Sequence, residues 1–422
     1  MNKFKSGSFI GGAGIYLFSN ILNATIPFVL LPILTRYLSP EEYGEVAMFQ
    51  TLLGALGAFV GMTFVGAAGR KYYDANLDKK ELAEFIGSCV QLTIIFSLTV
   101  FFIIFLFKDS FSGWLSLKSN YILSAVFVAA SLVIVRLRLG QWQVEKKAIK
   151  YGTLQISQSI FNMLLSLLLV VVFLKGAEGR INAQIIMSLV FLAVALILLK
   201  KDNLLKVFSL RKDYLTEALR FGVPLIPHVA GAFLLISVDR FIIGKKIGLT
   251  EVGVYMVAVQ LVSIMSLIFD AINKAYVPHL YEVLKRNDFY EKRKIIIFTY
   301  LWFIFILLGV GLVFIIGPWF VVFFAGEKYA QAGDVIGLLA LGQGFRGMYL
   351  TVTNFIFYSK RTSVLSTITM GTGVLNVFLL IVLIKFFGLV GAAVAYSLSM
   401  ALFFFLTWWY STQLVSMPWS LR

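Results

Sequence analysis

The stretch FIGSCVQLTIIFSLTVFFIIFLF, residues 85–107, runs without one charged side chain. A bilayer's hydrocarbon core is about 30 Å thick and takes about 20 apolar residues in helical form, so this run is long enough to cross one. It is not alone. Uncharged runs also cover 6–35, 46–69, 119–135, 151–174 and 181–199, then 221–238, 252–269, 295–326, 362–384 and 386–421. One more, 335–359, is interrupted only by Arg346. These runs predict twelve transmembrane helices. A transmembrane barrel would instead alternate in segments of about 10 residues, and backbone groups inside lipid must be satisfied within the segment, which a helix does.

Composition agrees. The 422 residues are 59% hydrophobic and 14% charged, with mean hydropathy +0.89. A soluble protein carries about 25% charged residues, so this chain cannot cover a water-facing surface and an ordinary cytosolic enzyme is excluded. The 40 phenylalanines exclude disorder, and a single cysteine, Cys89, excludes a disulfide scaffold.

The net charge of +16 is explained by topology before any nucleic-acid partner is needed. With the N-terminus cytoplasmic, 26 Lys and Arg fall on inside segments, from Lys3 and Lys5 at the start to Arg422 at the end, against 10 outside. The positive-inside rule then puts both termini in the cytoplasm. The first apolar run exceeds a signal peptide's 7–15 residues and no small-residue cleavage site follows, so it reads as a retained helix.

The chain repeats itself at half its length. Arg36-Tyr37-Leu38, Glu42-Tyr43-Gly44, Val46-Ala47 and Gln50 recur as Arg240-Phe241-Ile242, Glu251-Val252-Gly253, Val257-Ala258 and Gln260. Six spans per half keep both halves in one orientation, the parallel-repeat plan of alternating-access transporters with a cavity between lobes. The expected organisation is an N-terminal six-helix lobe over 1–199, a cytoplasmic connector over 200–220 and a C-terminal six-helix lobe over 221–422. Pro27 and Pro32 in the first span match Pro224 and Pro227 in the seventh. Proline removes an intrahelical bond, which makes these four candidate hinges, although membrane helices also tolerate proline for packing. Gly54, Gly57 and Gly61, and Gly333 and Gly337, read as close helix packing.

Pro32-Ile-Leu-Thr-Arg36-Tyr-Leu-Ser-Pro40-Glu-Glu-Tyr-Gly44 resembles the first signature of bacterial polysaccharide (O-antigen) flippases of the multidrug/oligosaccharidyl-lipid/polysaccharide exporter superfamily. So do Phe221-Gly-Val-Pro-Leu-Ile-Pro227 with Asp239-Arg240, the stretch Asn273 to Pro278, and Asn376 followed by Phe387-Gly-Leu-Val-Gly-Ala-Ala393. The resemblance covers nearly the whole chain; each string is weak and their order is specific. It implies an all-α integral membrane protein of twelve helices in two pseudo-symmetric six-helix lobes, like flippases and MATE transporters. It further implies transfer of undecaprenyl-diphosphate-linked oligosaccharide from the cytoplasmic to the periplasmic leaflet of the inner membrane, beside other polysaccharide-assembly membrane proteins. Lipid II flippases are similar but usually carry two extra helices.

Few charges remain once loop anchors near anionic lipid are set aside. Arg346 sits mid-span, where an arginine costs about 2.5–3.5 kcal/mol on insertion scales. It is either a contact to diphosphate or acidic sugar, which suit a guanidinium's planar donors, or the structural partner of Asp270. Arg36 and Arg240 sit at equivalent ends of the first and seventh spans, as substrate contacts or as interfacial anchors, with Asp239 placed to neutralise Arg240. Arg70 and Lys274 correspond across the repeat at the cytoplasmic side, as head-group contacts or plain anchors. Asn23, with Asn20, Gln155, Gln158, Asn162, Asn273, Asn354 and Asn376, offers sugar contacts or interhelical hydrogen bonds. His228 is a titratable group for proton coupling or a packing residue, and proton and sodium are both candidate coupling ions. With His279 the only other histidine, no metal site is expected, and no nucleotide loop, nucleophile with its base, or cofactor motif occurs. Rival readings are a cation-coupled multidrug antiporter, which calls for embedded acids in the first lobe, and a membrane-embedded O-antigen polymerase, which calls for a large periplasmic loop.

Overall fold

The computed structural model describes residues 6–420 apart from 62, 76, 208 and 210, so Lys3, Lys5 and Arg422 of the charge count lie outside the described residues. The described residues form helices and no strands. The chain divides into two compact units, Met1–Leu38 with Glu45–Ile226, and Ser39–Gly44 with Pro227–Arg422.

The first unit is built on α1 (Ser6–Tyr37), the body of α2 (Pro40–Gly61), the short α3 (Phe64–Lys71), α4 (Lys79–Leu106), the short α5 (Lys108–Leu115), α6 (Ser119–Val144), α7 (Ala148–Leu167, prolonged by a π turn over Leu168–Val172), α8 (Gly176–Lys201) and α9 (Lys212–Gly222). Asp78 caps α4 by accepting from the backbone N–H of Lys80 at 3.0 Å. Phe64, Phe85, Ile86, Cys89, Trp142 and Phe191 fill the core between α3, α4, α6 and α8, and α9 adds Ala218 to it. The stretch expected to be a connector thus contains a helix that packs on α3 and α4.

The second unit holds α10 (Ile226–Ile236), α11 (Asp239–Lys246), α12 (Leu249–Arg286), α13 (Phe289–Ala325), α14 (Gly333–Tyr358) and α15 (Ser363–Leu414). Phe269, Phe303, Ile306, Met348 and Phe404 interlock α12 to α15. Its first piece, Ser39–Gly44, is a capping box: the N–H of Ser39 donates to Glu42 Oε2 at 2.8 Å and the N–H of Glu42 to Ser39 Oγ at 3.2 Å. Pro40, at the first helical position, loses no bond there. The repeated glycines explain why both halves carry them. A Cβ on Gly44 would lie 1.9 Å from the Leu249 carbonyl oxygen, and one on Gly253 would lie 1.9 Å from that of Pro40. The starts of two repeat-related helices therefore cross backbone to backbone, and Tyr43 adds a hydrogen bond from its hydroxyl to Gln260 Oε1 at 2.8 Å.

Among the described residues, eleven helices are long and apolar enough to cross a membrane. The last of them, α15, spans 52 residues and is broken at Gly388, whose φ of 55° and ψ of −133° are not helical. Each side of that break has about 25 residues, enough for one crossing, so the described helices are consistent with twelve spans. Leu106 (74% exposed) and Ile315 (79%) typify apolar side chains that only lipid can cover. The protein is a multi-pass membrane protein.

Candidate functional site

Two facing helical stripes in the second unit collect the polar groups that composition makes scarce. Ser266, Asp270 and Asn273 recur on one side of α12, and Gln343, Arg346 and Asn354 on one side of α14, at the three- and four-residue spacings that stack side chains on one helix face. Ser266 donates to Gln343 Oε1 at 2.7 Å, Gln343 Nε2 donates to the Tyr396 hydroxyl of α15 at 2.9 Å, and Asn354 donates to Asn273 Oδ1 at 2.8 Å.

At the middle of this seam Arg346 Nη2 stands 3.4 Å from both oxygens of Asp270. A charge-assisted N–H···O bond is ordinarily about 2.7–2.9 Å, so the pair is loose. Its side chains are 25% and 40% exposed, and Nη1 of Arg346 has no partner among the described residues. Of the two alternatives read from sequence, the pairing with Asp270 is present, and Nη1 keeps no partner among the described residues.

Arg240 is differently placed. It is 7% exposed; Nη1 donates to Asp239 Oδ1 at 2.8 Å and to the Ile236 carbonyl, Nε faces Met256 Sδ at 3.2 Å, and Tyr255 donates to Asp239 Oδ2 at 2.6 Å. This buried network ties α10, α11 and α12 together and consumes the neutralising acid that the sequence offered. Lys274 is exposed on α12 with no ion pair among the described residues. His228 is half-buried on α10, and its Nδ1 has no partner there. Pro224 lies in a 3₁₀ turn, Val223–Leu225, and Pro227 follows at the first turn of α10.

In the first unit Pro27 and Pro32 lie inside an α1 that runs unbroken from Ser6 to Tyr37, as lipid-embedded helices allow. Arg36 is exposed in the last turn of α1, where a cation complements the helix dipole. Asn23 accepts from Ser159, and Asn20 from Gln155 Nε2 at 3.2 Å, so these amides bridge α1 to α7. Arg70 borders a cavity of about 590 Å³ between α3, α4 and α9, with Lys71, Asp74, Glu217, Arg220 and Phe221. Lys71 is committed to Asp74 at 2.9 Å and to both Glu217 oxygens at 3.0 Å. Burial alone pulls its pKa down, but those two carboxylates outweigh it and the net direction is up. The guanidinium of Arg70 sits 5.9 Å from the Phe221 ring centroid, and neither Arg70 nor Arg220 has an ion pair among the described residues.

Sequence reasoning did not single out Gln343, Ser266, Tyr396, Arg220 or Glu217. Gln343 and Ser266 were within reach, being one helical turn before Arg346 and Asp270. Tyr396 and Glu217 join through tertiary contacts that leave no periodic trace.

The model of the family "Polysaccharide biosynthesis protein" matches residues 9–284. A Haemophilus influenzae protein described as "Uncharacterized membrane protein" is 30% identical over 85% of this chain and 86% of its own length. A "Putative O-antigen transporter" of Shigella flexneri is 22% identical over 95% of this chain and 97% of its own. Among solved structures, an inward-facing multidrug resistance MATE family transporter aligns with TM-score 0.71 at 15% identity, covering 92% of this chain and 94% of that one. The lipid II flippase MurJ aligns with TM-score 0.70 at 15% identity, covering 96% and 87%. The fold is theirs, and with well over half of its length matched the chain belongs to the polysaccharide biosynthesis protein family.

Proposed function

We propose that the protein moves undecaprenyl-diphosphate-linked oligosaccharide units, of the O-antigen kind, from the cytoplasmic to the periplasmic leaflet of the bacterial inner membrane by alternating access, with both termini cytoplasmic. The observation that carries this reading is Arg346: a cation at the middle of a span, loosely held by Asp270, with an unused donor face, in a chain of this family. A guanidinium in that state offers paired N–H groups to diphosphate or carboxylate oxygens. The O-antigen and lipid II names of its relatives support the same substrate class.

The energetics favour export. A potential negative inside contributes about 2.3 kcal/mol per charge per 100 mV, so a doubly anionic diphosphate leaves downhill while its polyprenyl tail stays in lipid. In this reading Arg70 and Arg220 receive the head group on the cytoplasmic side, and Arg240, already spent on Asp239, holds helices in place. Asp270 is in this reading the structural partner of Arg346, and His228 is the group for coupling to protons.

Cells lacking the protein are expected to accumulate lipid-linked units facing the cytoplasm, and normal surface glycan in a clean deletion would sink the reading. The drug-antiporter alternative rests on Asp270 as a cation site. It predicts cation efflux that Asp270→Asn abolishes, with surface glycan unchanged.

A further inference from the structure

A cavity of about 670 Å³ in the first unit is lined by none of the residues given a role in that path. It is a groove between α7 and α8, closed at one end by Trp142 of α6. Its walls are apolar along most of their length, with Phe161, Met187, Phe191 and Val194. Lys150 and Lys201 stand at the Trp142 end of those walls, where α6 ends, α7 begins and α8 ends. From Lys201 to Met187 is 14 residues of helix, about 21 Å at 1.5 Å per residue. That is a little more than the depth of one leaflet, half of about 30 Å.

The lysine end is rich in donors that lack acceptors. Lys150 and Lys201 are exposed and have no ion pair among the described residues. Trp142 is 4% exposed, and its indole N–H has no acceptor there. Beneath it Arg138 is fully buried, with its guanidinium 4.1 Å from the Trp142 ring centroid; Nη2 bonds Asp202, while Nε and Nη1 are unpaired. Asp202 also borders the groove with its Oδ2 on Nη2 of Arg138, and the Lys147 ammonium lies 2.7 Å from Oε2 of the nearby Glu145. A buried donor without an acceptor costs about 1–3 kcal/mol, so such a cluster calls for an acceptor-rich ligand.

We propose that the α7–α8 groove is a binding site for one anionic phospholipid of the adjoining leaflet, its phosphate between Lys150 and Lys201 and an acyl chain along Phe191 and Val194. Thr153 and Ser157, on the α7 wall between the two zones, face the level of the ester groups. Basic pockets between transmembrane helices recognise phosphate head groups in this way, with charge selecting the head and apolar area holding the tail. The length of the groove favours a bilayer lipid over an undecaprenyl chain, which is far longer than one leaflet is deep.

The test uses the full chain in nanodiscs of phosphatidylethanolamine and phosphatidylglycerol at equal fractions, with retained lipid identified by native mass spectrometry. Phosphatidylglycerol is expected to be retained about tenfold over phosphatidylethanolamine. Lys150→Gln with Lys201→Gln removes the preference, whereas Lys118→Gln, at an exposed position outside the groove, keeps it. A second variant, Val194→Trp, fills the apolar wall and should lower retention of both lipids. Thermal unfolding guards against misfolding: added phosphatidylglycerol raises the melting temperature of the wild type and not of the double lysine variant. Equal retention of the two lipids, an unchanged preference in the double variant, or displacement of phosphatidylglycerol by stoichiometric undecaprenyl phosphate would each overturn the proposal.

Discussion

Separating Arg346 from Asp270 tests the site most directly. At 3.4 Å two unit charges attract by about 5 kcal/mol at an effective dielectric of 20. With a quarter of one side chain and two fifths of the other exposed, water takes most of that, and a coupling of about 1–2 kcal/mol is expected. Asp270→Asn leaves the arginine unpaired and should lower stability by that amount, while surface-glycan assembly survives within a few-fold. Arg346→Ala removes a cation that is costly in lipid, so stability should change by under about 1 kcal/mol. Its effect falls on transport: charge-assisted bonds to an anion are worth about 1.5–3 kcal/mol each, a loss of about ten- to a hundredfold. Arg346→Lys should recover part of this, since an ammonium keeps the charge without the paired donors. The assay is restoration of surface glycan in the deletion strain at matched membrane levels, beside unfolding in detergent. The decisive variant carries both substitutions. If Arg346→Ala with Asp270→Asn transports as well as the wild type, Arg346 serves only to neutralise Asp270 and the substrate role is refuted.

Three other outcomes are expected. Gly253→Ala should destabilise the protein by about 1–3 kcal/mol, because its new methyl would meet the Pro40 carbonyl and the Gly44 backbone nitrogen; thermal unfolding checks it, and a neutral result would mean that the crossing relaxes freely. Glu217→Gln should cost under about 1 kcal/mol at neutral pH, given the exposure of the glutamate. Because the Lys71 pKa is raised in the fold, that contribution is full below the ordinary lysine value of about 10.4 and is lost as pH rises through the higher folded value. Unfolding curves of wild type and variant should therefore differ at pH 7 and converge only in strong alkali. Tags at 116–118, between α5 and α6, and at 173–175, before α8, should react with impermeant reagents from the periplasm, and labelling only from the cytoplasm would invert the topology.

The membrane-spanning character was legible because lipid imposes one rule on every span: few charges over about 20 residues. The same rule misplaces details. It divides the last two runs at Lys385, yet the helix continues through that lysine and breaks at Gly388, where the backbone alone decides. It treats Arg138 as a loop cation, although α6 extends to Val144 and carries that side chain into the interior. The Arg346–Asp270 pair was readable, since each residue is conspicuous alone in an apolar run. Its companion Tyr396 was not, because it lies 53 positions from Gln343 and only packing joins them. Four prolines looked equivalent in sequence, but α1 runs continuous through Pro27 and Pro32, while Pro224 coincides with a change of helix type.

The short piece Ser39–Gly44 folds with residues that follow it by two hundred positions, and the other boundary falls between Ile226 and Pro227. A gene cut at its midpoint would therefore not yield two self-sufficient products. The latter fragment would lack the piece of sequence that folds with it, and the former would carry that piece within its chain with nothing to grip. Whatever ancestral doubling produced this chain, its descendants have since become interlaced, and neither can now be inherited, exchanged or engineered without the other.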